Sequence, residues 1–465
     1  GQNDAYGGKF YGLSRPFLSA CIRARWITVI VVVGLFGAAL VGFGSVKNSF
    51  FPDSTRPQFY IDFWFPEGTD IRETLRQVEE AEKYLTKQEG VTNLTTMLGG
   101  GQVRFLLTYT PEKNYAGFGQ ILVDVDDYKR IPKMTREIQG DLDRMFPQAM
   151  VSVRLFVLGP STGGKIQLRL YGPDSKVLRE LASRGEAVLL NDPKAKAVRN
   201  EWREMVKVVR PQMAEVPALR AGIERPDLAK TFESVFEGTR VGVFKERDEL
   251  IPIVARSPEA ERADLDSIGS IQIWSPAAQT MIPVGQVISG IETEFENAHV
   301  WRRDRFRMLR VHADPREGLA SELMARVKPE IEKVLDVDVG RVLGKRFGLG
   351  EDPFGKDFDA GTLKVQYSDM WPLKGLPGYY MAWGGEAEDS AKANSRLAGT
   401  IPIFFGLMVL IVLFLFNSIK KTLVIWFTVP LSIIGVTVGL LLFKQPFGFM
   451  SLLGLMSLSG MLIKN

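Results

Sequence analysis

Long uncharged stretches lie near both ends of the chain, and a mixed, charged region separates them. Residues 26–46 carry no charge and are dense in Val, Ile, Leu, Phe and Gly. Three more apolar stretches close the sequence, at residues 397–419, 422–443 and 447–465. Because a helix needs about 20 apolar residues to cross about 30 Å of hydrocarbon, each stretch is predicted to be a transmembrane helix. A cleaved signal peptide is the alternative for residues 26–46, although the run is longer than the usual apolar core of about 7–15 residues.

Positive charges beside these stretches predict the orientation of the chain. Arg23 and Arg25 precede the first stretch, and Lys420 and Lys421 separate the second from the third. Short loops rich in Lys and Arg stay on the cytoplasmic side of a membrane. The middle region is therefore predicted to be extracytoplasmic, and residues 1–25 to be a cytoplasmic or interfacial lead-in.

The middle region repeats one pattern, in which a strand is followed by a polar turn and an amphipathic helix. Four such units occur, at residues 59–85, 121–146, 166–190 and 308–335, and further strands are predicted at 91–97, 103–109 and 151–158. The pattern predicts an α+β domain of two ferredoxin-like βαβ sandwiches, and a generic α+β domain is the alternative. The first sandwich is assigned to residues 47–160 and the second to residues 161–211 with 301–396.

Two segments depart from this pattern. Residues 212–300 contain several short β-rich stretches and are predicted to be a subdomain inserted into the second sandwich. Residues 336–375 are rich in Gly, Asp and Lys and are predicted to be an exposed insertion.

Composition excludes several kinds of chemistry. The 465 residues carry a formal net charge of +4, too little to indicate a nucleic-acid-binding surface. Cys21, His299 and His312 are too few for a Cys/His zinc site. Residues 159–165 resemble a phosphate loop, but Ile166 stands where Ser or Thr would reach magnesium. We therefore predict no catalytic residues, no cofactor and no metal site, and the chain is not expected to be an enzyme.

Lys464 is the most informative single residue. It follows an otherwise uncharged run from Phe447 to Ile463, and a charge within a membrane is costly unless it is paired. Two interpretations stay open from the residues alone. Lys464 is either the ordinary basic end of a membrane helix or an ammonium inside a helix that continues beyond Asn465.

Residues 454–465, which end in Leu-Ser-Gly-Met-Leu-Ile-Lys464-Asn465, resemble the tenth transmembrane helix of the RND (resistance-nodulation-division) efflux pumps. Three further stretches resemble signatures of the same family in the same order, at residues 249–256, 378–386 and 429–439. The chain is therefore expected to be the C-terminal half of such a pump, ending inside the tenth helix.

The resemblance implies an inner-membrane, multi-pass secondary transporter with a large periplasmic domain. It implies proton antiport that exports small amphiphilic or toxic compounds, such as drugs and biocides. The implied partners are a homotrimer, membrane lipid, a periplasmic adaptor (membrane fusion) protein and an outer-membrane channel, with no nucleic acid. The two sandwiches would be porter subdomains, and residues 212–300 would be the docking subdomain.

The resemblance also implies roles for individual residues. Lys464 would belong to the proton relay and pair with aspartates on a fourth helix that this chain does not include. Gly99, Gly100 and Gly101 would form a switch loop on the substrate pathway. Phe105 and Phe118 would contact substrate there, and the ordinary alternative is that both fill a sandwich core.

Two other classes of protein share the layout of one span, a large outer domain and three further spans. One is an ABC-type mechanotransmission permease, which needs no lysine within the membrane. The other is a receptor or binding ectodomain held by membrane anchors, whose ligand binding would not depend on a proton gradient.

Overall fold

The computed structural model describes residues 16, 19–159, 164–338 and 370–464. Its helices are α1 (Arg25–Phe43), α2 (Ile71–Leu85), α3 (Ile131–Met145), α4 (Ser175–Asn191), α5 (Glu215–Ala221), α6 (Arg225–Phe236), α7 (Glu259–Ala263), α8 (Ala320–Val334), α9 (Glu386–Phe416), α10 (Ile419–Thr428), α11 (Ser432–Leu442) and α12 (Phe449–Lys464). Its strands are β1 (Gln58–Trp64), β2 (Val91–Leu98), β3 (Phe118–Val125), β4 (Met150–Leu155), β5 (Ile166–Tyr171), β6 (Ala195–Asn200), β7 (Met205–Met213), β8 (Thr239–Glu246), β9 (Glu249–Ala255), β10 (Gln272–Ser275), β11 (Thr280–Pro283), β12 (Ile288–Asn297), β13 (Arg302–Arg303), β14 (Phe306–Pro315), β15 (Met370–Pro372) and β16 (Tyr380–Gly385).

The first sheet is antiparallel, with the strand order β2-β3-β1-β4. Helix α2 connects β1 to β2, and helix α3 connects β3 to β4. Alternate residues of β1, such as Phe59, Ile61 and Phe63, are fully buried in a core shared with the two helices. Because side chains alternate across a strand, the intervening residues, such as Tyr60 and Asp62, lie on the opposite face. We call this second face the open face of the first sheet.

The second sheet has the strand order β13-β14-β5-β16-β15, and β6 also pairs with β14. Apolar residues of β5 and β14, among them Leu168 and Leu309, form a core with helices α4 and α8. Trp202 is fully buried in this core, and its indole Nε1 donates to the carbonyl oxygen of Met308 at 2.8 Å. Gln167, Arg169 and Tyr171 alternate with the core residues of β5 and define the open face of the second sheet.

Residues 204–298 form a separate compact unit. It contains three two-stranded antiparallel sheets, which pair β7 with β12, β8 with β9 and β10 with β11. Its small core gathers side chains from α5, α6 and the strands around them: Ala218, Ile223, Leu228, Ile273, Val284 and Val287. The sequence pattern places an insertion at 212–300, whereas the compact unit begins at Glu204 because β7 pairs with β12 along its whole length.

The prediction of a strand at residues 103–109 is wrong. No strand is assigned there, and the segment between β2 and β3 is a loop. Tyr109, which is 5% exposed, packs on Tyr60 and Phe156. The apolar side chains of this loop therefore pack against the first sheet, and its backbone does not pair with a strand.

Most of the insertion predicted at 336–375 lies outside the described residues, which stop at 338 and resume at 370. The described residues at the two ends of that range pair with other backbone segments and do not form an exposed loop. Strand β15 pairs with β16, and an isolated bridge joins Val337 to Leu373.

Three helices in the described part of the chain are long and apolar enough to cross a membrane, at Arg25–Phe43, Glu386–Phe416 and Ile419–Leu442. The helix Phe449–Ile463 is apolar but shorter. The third of these spans is divided into α10 and α11 around Pro430. Proline has no backbone N–H and clashes with the preceding turn, so a break at this residue is expected.

Helix α9 follows strand β16 without a loop. Gly385 has a φ of +87°, and a Cβ there would lie 2.3 Å from the carbonyl oxygen of Lys165, so the joint requires glycine. The first turns of α9 contain charged residues, beginning with Glu386 and Glu388. Hydropathy detects only the apolar part of this helix, which explains why the predicted span began at residue 397.

Candidate functional site

The glycine-rich stretch Gly99–Gly101 closes the loop that leaves strand β2. The backbone N–H of Gly99 donates to Phe118 O at 2.8 Å, and Tyr115 N donates to Gly99 O at 3.0 Å. Gly99 has a φ of +74°, and a Cβ on Gly101 would lie 2.4 Å from the backbone nitrogen of Glu112. Glycine is thus required where two backbone segments approach closely.

Phe105 and Phe118 lie in different aromatic groups. Phe105 is 38% exposed, and its ring centroid lies 5.3 Å from that of Tyr109 and 5.7 Å from that of Phe156. Phe118 is fully buried, with its ring centroid 4.5 Å from Trp64. Phe118 therefore has the environment of a core residue, and Phe105 is the more accessible of the two.

Lys464 is the last residue of α12, a helix that contacts α10 and α11. It belongs to the apolar helices, whereas the three glycines and the two phenylalanines belong to the first sheet and its loop. The predicted site residues therefore form two groups on different elements.

The open face of the first sheet carries a chain of buried polar contacts. Gln120 Nε2 donates to Asp62 Oδ1 at 2.6 Å, and the Tyr109 hydroxyl donates to Gln120 Oε1 at 2.7 Å. Burial raises the pKa of Tyr109 to about 12. Burial also raises the pKa of Asp62, although Arg154 and Gln120 oppose the rise.

Arg154 joins the two sheets. It lies on β4, and its Nη2 atom donates to Asp314 Oδ2 on β14 at 2.8 Å, while Nη1 lies 3.6 Å from Asp62 Oδ2. Asp314 also accepts the backbone N–H of Lys165 at 2.6 Å. Burial alone would raise the pKa of Asp314, but Arg154 and the Lys165 amide together hold it well below its usual range. A pair this buried stays ionised at neutral pH because each charge is compensated.

Lys196 stands beside this pair, opposite Asp314 in the β6–β14 ladder. Its ammonium donates to the carbonyl oxygen of Val153 at 2.9 Å. Burial lowers the pKa of Lys196, and Asp314 opposes that shift.

Trp64 lies between two guanidinium groups on the same open face. The Arg199 and Arg203 carbons Cζ lie 4.8 Å and 4.7 Å from its ring centroid. Arg203 also pairs with Glu67 at 2.9 Å. These cation–π contacts fix β6 and the residues after it against the first sheet.

A cavity of about 570 Å³ lies between the two sheets. Tyr60, the end of β4 and one face of α3 form one wall, and Lys165, Lys196 and residues 314–318 form the other. This volume is within the range of small-molecule sites. A second cavity of about 30 Å³ lies beside it, between Arg154 and Tyr109.

Sequence reasoning did not identify Arg154, Lys196 or Asp314. One signal was present, because the alternation in Val151-Ser-Val-Arg154 places a positive charge on the face opposite the core. Its partner lies 160 residues away along the chain, and no local pattern indicates that pairing.

Within the described residues, no group of three or more His, Cys, Asp or Glu side chains is arranged to hold a metal ion. The residues around the larger cavity include no Cys, His or Met. Carboxylate oxygens are present there, but Asp314 is already bonded to Arg154.

The chain matches the model of the AcrB/AcrD/AcrF family over residues 11–343 and 369–465. It therefore belongs to that family of RND transporters, and the resemblance in the sequence is confirmed. The match covers both the apolar helices and the two sheets.

Among curated proteins, the chain is 23% identical over 341 residues to the cobalt-zinc-cadmium resistance protein CzcA of Cupriavidus metallidurans, covering 72% of this chain and 28% of CzcA. It is 22% identical over 462 residues to protein HelA of Legionella pneumophila, covering 96% of this chain and 40% of HelA. The chain thus spans well under half the length of these relatives.

A solved structure has the same fold. The crystal structure of a heavy metal efflux pump, in its crystal form II, aligns with 98% of this chain and 44% of its own, at a TM-score of 0.74 and 17% identity. The fold class of an RND transporter, with apolar helices and paired sheets, is therefore established.

Proposed function

We propose that the chain is part of a proton-driven efflux transporter that takes substrate through the cavity between its two sheets. The observation that carries this proposal is the family match, which includes both the membrane helices and the domain that encloses the cavity. An inner-membrane location with a periplasmic outer domain is part of the proposal, and the positive charges at Lys420 and Lys421 support it.

We infer that the two sheets belong to ferredoxin-like porter subdomains. The order strand-helix-strand-strand-helix-strand in the first sheet supports this inference. The unit of residues 204–298 is proposed as the docking subdomain, in a homotrimer that works with a periplasmic adaptor and an outer-membrane channel. Membership of the RND family supports the proposal of these partners.

We propose small amphiphilic organic compounds as the substrates. The cavity supports this choice, because apolar residues such as Val153 and Leu155 lie beside charged ones in its lining. Metal cations are the second candidate, and the names of CzcA and of the solved heavy metal efflux pump favour them.

Lys464 is proposed to belong to the proton relay. Its place in an apolar helix that contacts two other membrane helices supports this role, because a charge in such a position requires a partner. Gly99, Gly100, Gly101 and Phe105 are proposed to line the substrate pathway, with Phe105 as the accessible aromatic contact. Phe118 is proposed to support this pathway from the core, because it is fully buried.

Efflux by intact cells tests the proposal. Cells that express the full-length gene should export an amphiphilic dye in a protonophore-sensitive manner, and Lys464→Ala should abolish export, because the relay loses its cation. Lys420→Ala is the matched control, since it removes one exposed lysine from the first turn of α10. It should keep export within about twofold of the parent.

Expression level and oligomeric state must be equal in the variants for this comparison. Export by the Lys464 variant at the parental rate would contradict the proton relay. Ligand binding without any gradient-dependent export would favour the receptor alternative.

A further inference from the structure

The larger cavity carries more positive than negative side chains. Its lining includes five basic residues: Arg136, Arg154, Lys165, Lys196 and Arg316. It includes three acidic residues: Asp53, Asp314 and Glu317. Two carboxylates outside this lining offset part of that excess, because Arg316 lies 3.5 Å from Asp143 and Arg154 lies 3.6 Å from Asp62. The basic groups that favour a negatively charged occupant are therefore those without a carboxylate partner.

Most of the acidic groups already have basic partners. Asp314 is bonded to Arg154, and Glu317 lies 3.8 Å from Arg136. Among the residues that the structure describes, neither Lys165 nor Lys196 has a carboxylate oxygen within 4.0 Å. Two ammonium groups therefore face the cavity without a counter-charge in direct contact.

The Lys196 ammonium has more N–H donors than the structure gives it acceptors. An ammonium group has three N–H donors, and the structure gives it one acceptor, the carbonyl oxygen of Val153 at 2.9 Å. The burial that lowers the pKa of Lys196 disfavours its charged form. An anion placed in the cavity would restore that form, because an opposite charge at short range favours ionisation.

The rest of the lining suits an organic body. Leu155 at the end of β4 and Val157 just beyond it are partly exposed and supply a short apolar strip in the lining, to which Tyr60 also belongs. A divalent cation would meet these two ammonium groups, and two of the three lining carboxylates, Asp314 and Glu317, are already paired. An inorganic anion would leave the apolar strip without a partner.

We propose that this cavity binds an amphiphilic organic anion, whose acid group is held by Lys196 and Lys165 and whose apolar body lies against β4. The proposal rests on the proposed export function and narrows its substrate class. It gives this chain a substrate class different from the metals that appear in the names of its relatives.

Binding of three probes of one shape tests the proposal. We would use 2-naphthoate, the neutral 2-naphthamide and the cationic 2-naphthylmethylammonium, with the full chain in a non-ionic detergent and equilibrium dialysis as the readout. The parent should bind 2-naphthoate at least tenfold more tightly than the cation. Equal or tighter binding of the cation would overturn the proposal.

Three variants locate the site. Lys196→Gln should weaken 2-naphthoate binding at least tenfold, and Lys196→Arg should restore most of it. Lys194→Gln is the matched control, because Lys194 is exposed, lies two residues away and does not line the cavity. It should change binding less than twofold, and an equal loss in both glutamine variants would overturn the assignment to the cavity.

Cellular efflux separates this proposal from the one on which it rests. Protonophore-sensitive export of 2-naphthylmethylammonium or Zn²⁺, with no export of 2-naphthoate, would leave the pump function intact and overturn the anion site. Absence of gradient-dependent export for every probe would overturn the pump function, while 2-naphthoate binding to the chain would still support the site.

Discussion

The open faces of the two sheets each hold a buried arginine, and the two arginines have different partners. Arg154 of the first sheet pairs with Asp314 of the second sheet and borders the larger cavity. Arg169 of the second sheet pairs with Glu388, which lies in the first turn of helix α9. One arginine joins the two sheets beside a cavity, and the other joins the second sheet to the long apolar helix α9.

The balance of charge around the two arginines also differs. Burial alone would lower the pKa of Arg154, but Asp314, Tyr60 and Asp62 raise it well above its usual value. Burial and the nearby Arg303 lower the pKa of Arg169, against the pull of Glu388.

The Glu388 carboxylate contacts three cationic side chains. Besides Arg169, it lies 2.6 Å from Lys392 Nζ and 3.5 Å from Arg303 Nη2. Glu388 is therefore the carboxylate that contacts all three cations of the cluster at α9, whereas two carboxylates, Asp62 and Asp314, contact Arg154 at the cavity.

The largest effect is expected from Glu388→Ala. It leaves the Arg169 guanidinium buried near Arg303 without its carboxylate, and breaking a buried pair costs about 3–5 kcal/mol. Chemical unfolding of the full chain in detergent measures this loss.

Glu180→Ala is the matched control for that prediction. Glu180 pairs with Arg184, and both side chains are more than half exposed. Exposed pairs contribute about 0.2–1 kcal/mol, so this variant should lose little stability. Similar losses in the two variants would contradict the dependence of the Arg169 cluster on Glu388.

A smaller effect is expected from Gly384→Ala. The guanidinium of Arg169 lies across this glycine, and an added Cβ would lie 2.2 Å from its Cζ atom. Moving the guanidinium away from Glu388 should cost about 1–3 kcal/mol, as for other overpacked sites.

The control for this steric argument is Gly140→Ala in helix α3, where an added Cβ meets nothing within 4 Å. Alanine is about 1 kcal/mol better than glycine in a helix, so this variant should be more stable than the parent in the same unfolding assay. A loss of stability there, equal to that of Gly384→Ala, would remove the case for a specific clash.

The smallest effect is expected from Asp62→Asn, and its sign depends on pH. The pKa of Asp62 is raised in the folded chain, so stability falls as pH rises from the unfolded pKa of about 3.9 through the folded value. The variant should lack that fall and be at least as stable as the parent at pH 7.

Asp314→Asn provides the opposite case. The pKa of Asp314 is lowered, so its contribution is present above the unfolded pKa and is lost as pH falls through the folded value. This variant should lose stability at pH 7. Unfolding from pH 3 to pH 8 measures both profiles, and a loss of stability at pH 7 in the Asp62 variant would contradict the assigned cost of burying Asp62.

The sequence predicts those features that depend on neighbouring residues. The apolar run that contains α1 and the alternation of Phe59, Ile61 and Phe63 in β1 each reflect a local periodicity, and the structure has both elements. The family resemblance carried by residues 454–465 is likewise local, and the family match confirms it.

The features that sequence reasoning missed depend on contacts between distant segments. Arg154 meets Asp314 only because the two sheets lie side by side, and the same topology brings Lys196 to the cavity. Residues 103–109 are predicted to be a strand but form a loop, in which Phe105 and Tyr109 pack on Phe156, a residue distant in the sequence.

The bridge between Val337 and Leu373 joins two positions that are 36 residues apart in the sequence (373 − 337). Asp338 N donates to Pro372 O at 2.9 Å, and Lys374 N donates to Asp336 O at 2.8 Å. Since each doubling of the length of a closed segment costs only about 0.6 kcal/mol in closure entropy, we expect the pairing of these anchors to tolerate changes in the number of residues between them. The same anchors offer an engineer a point at which to graft an epitope tag.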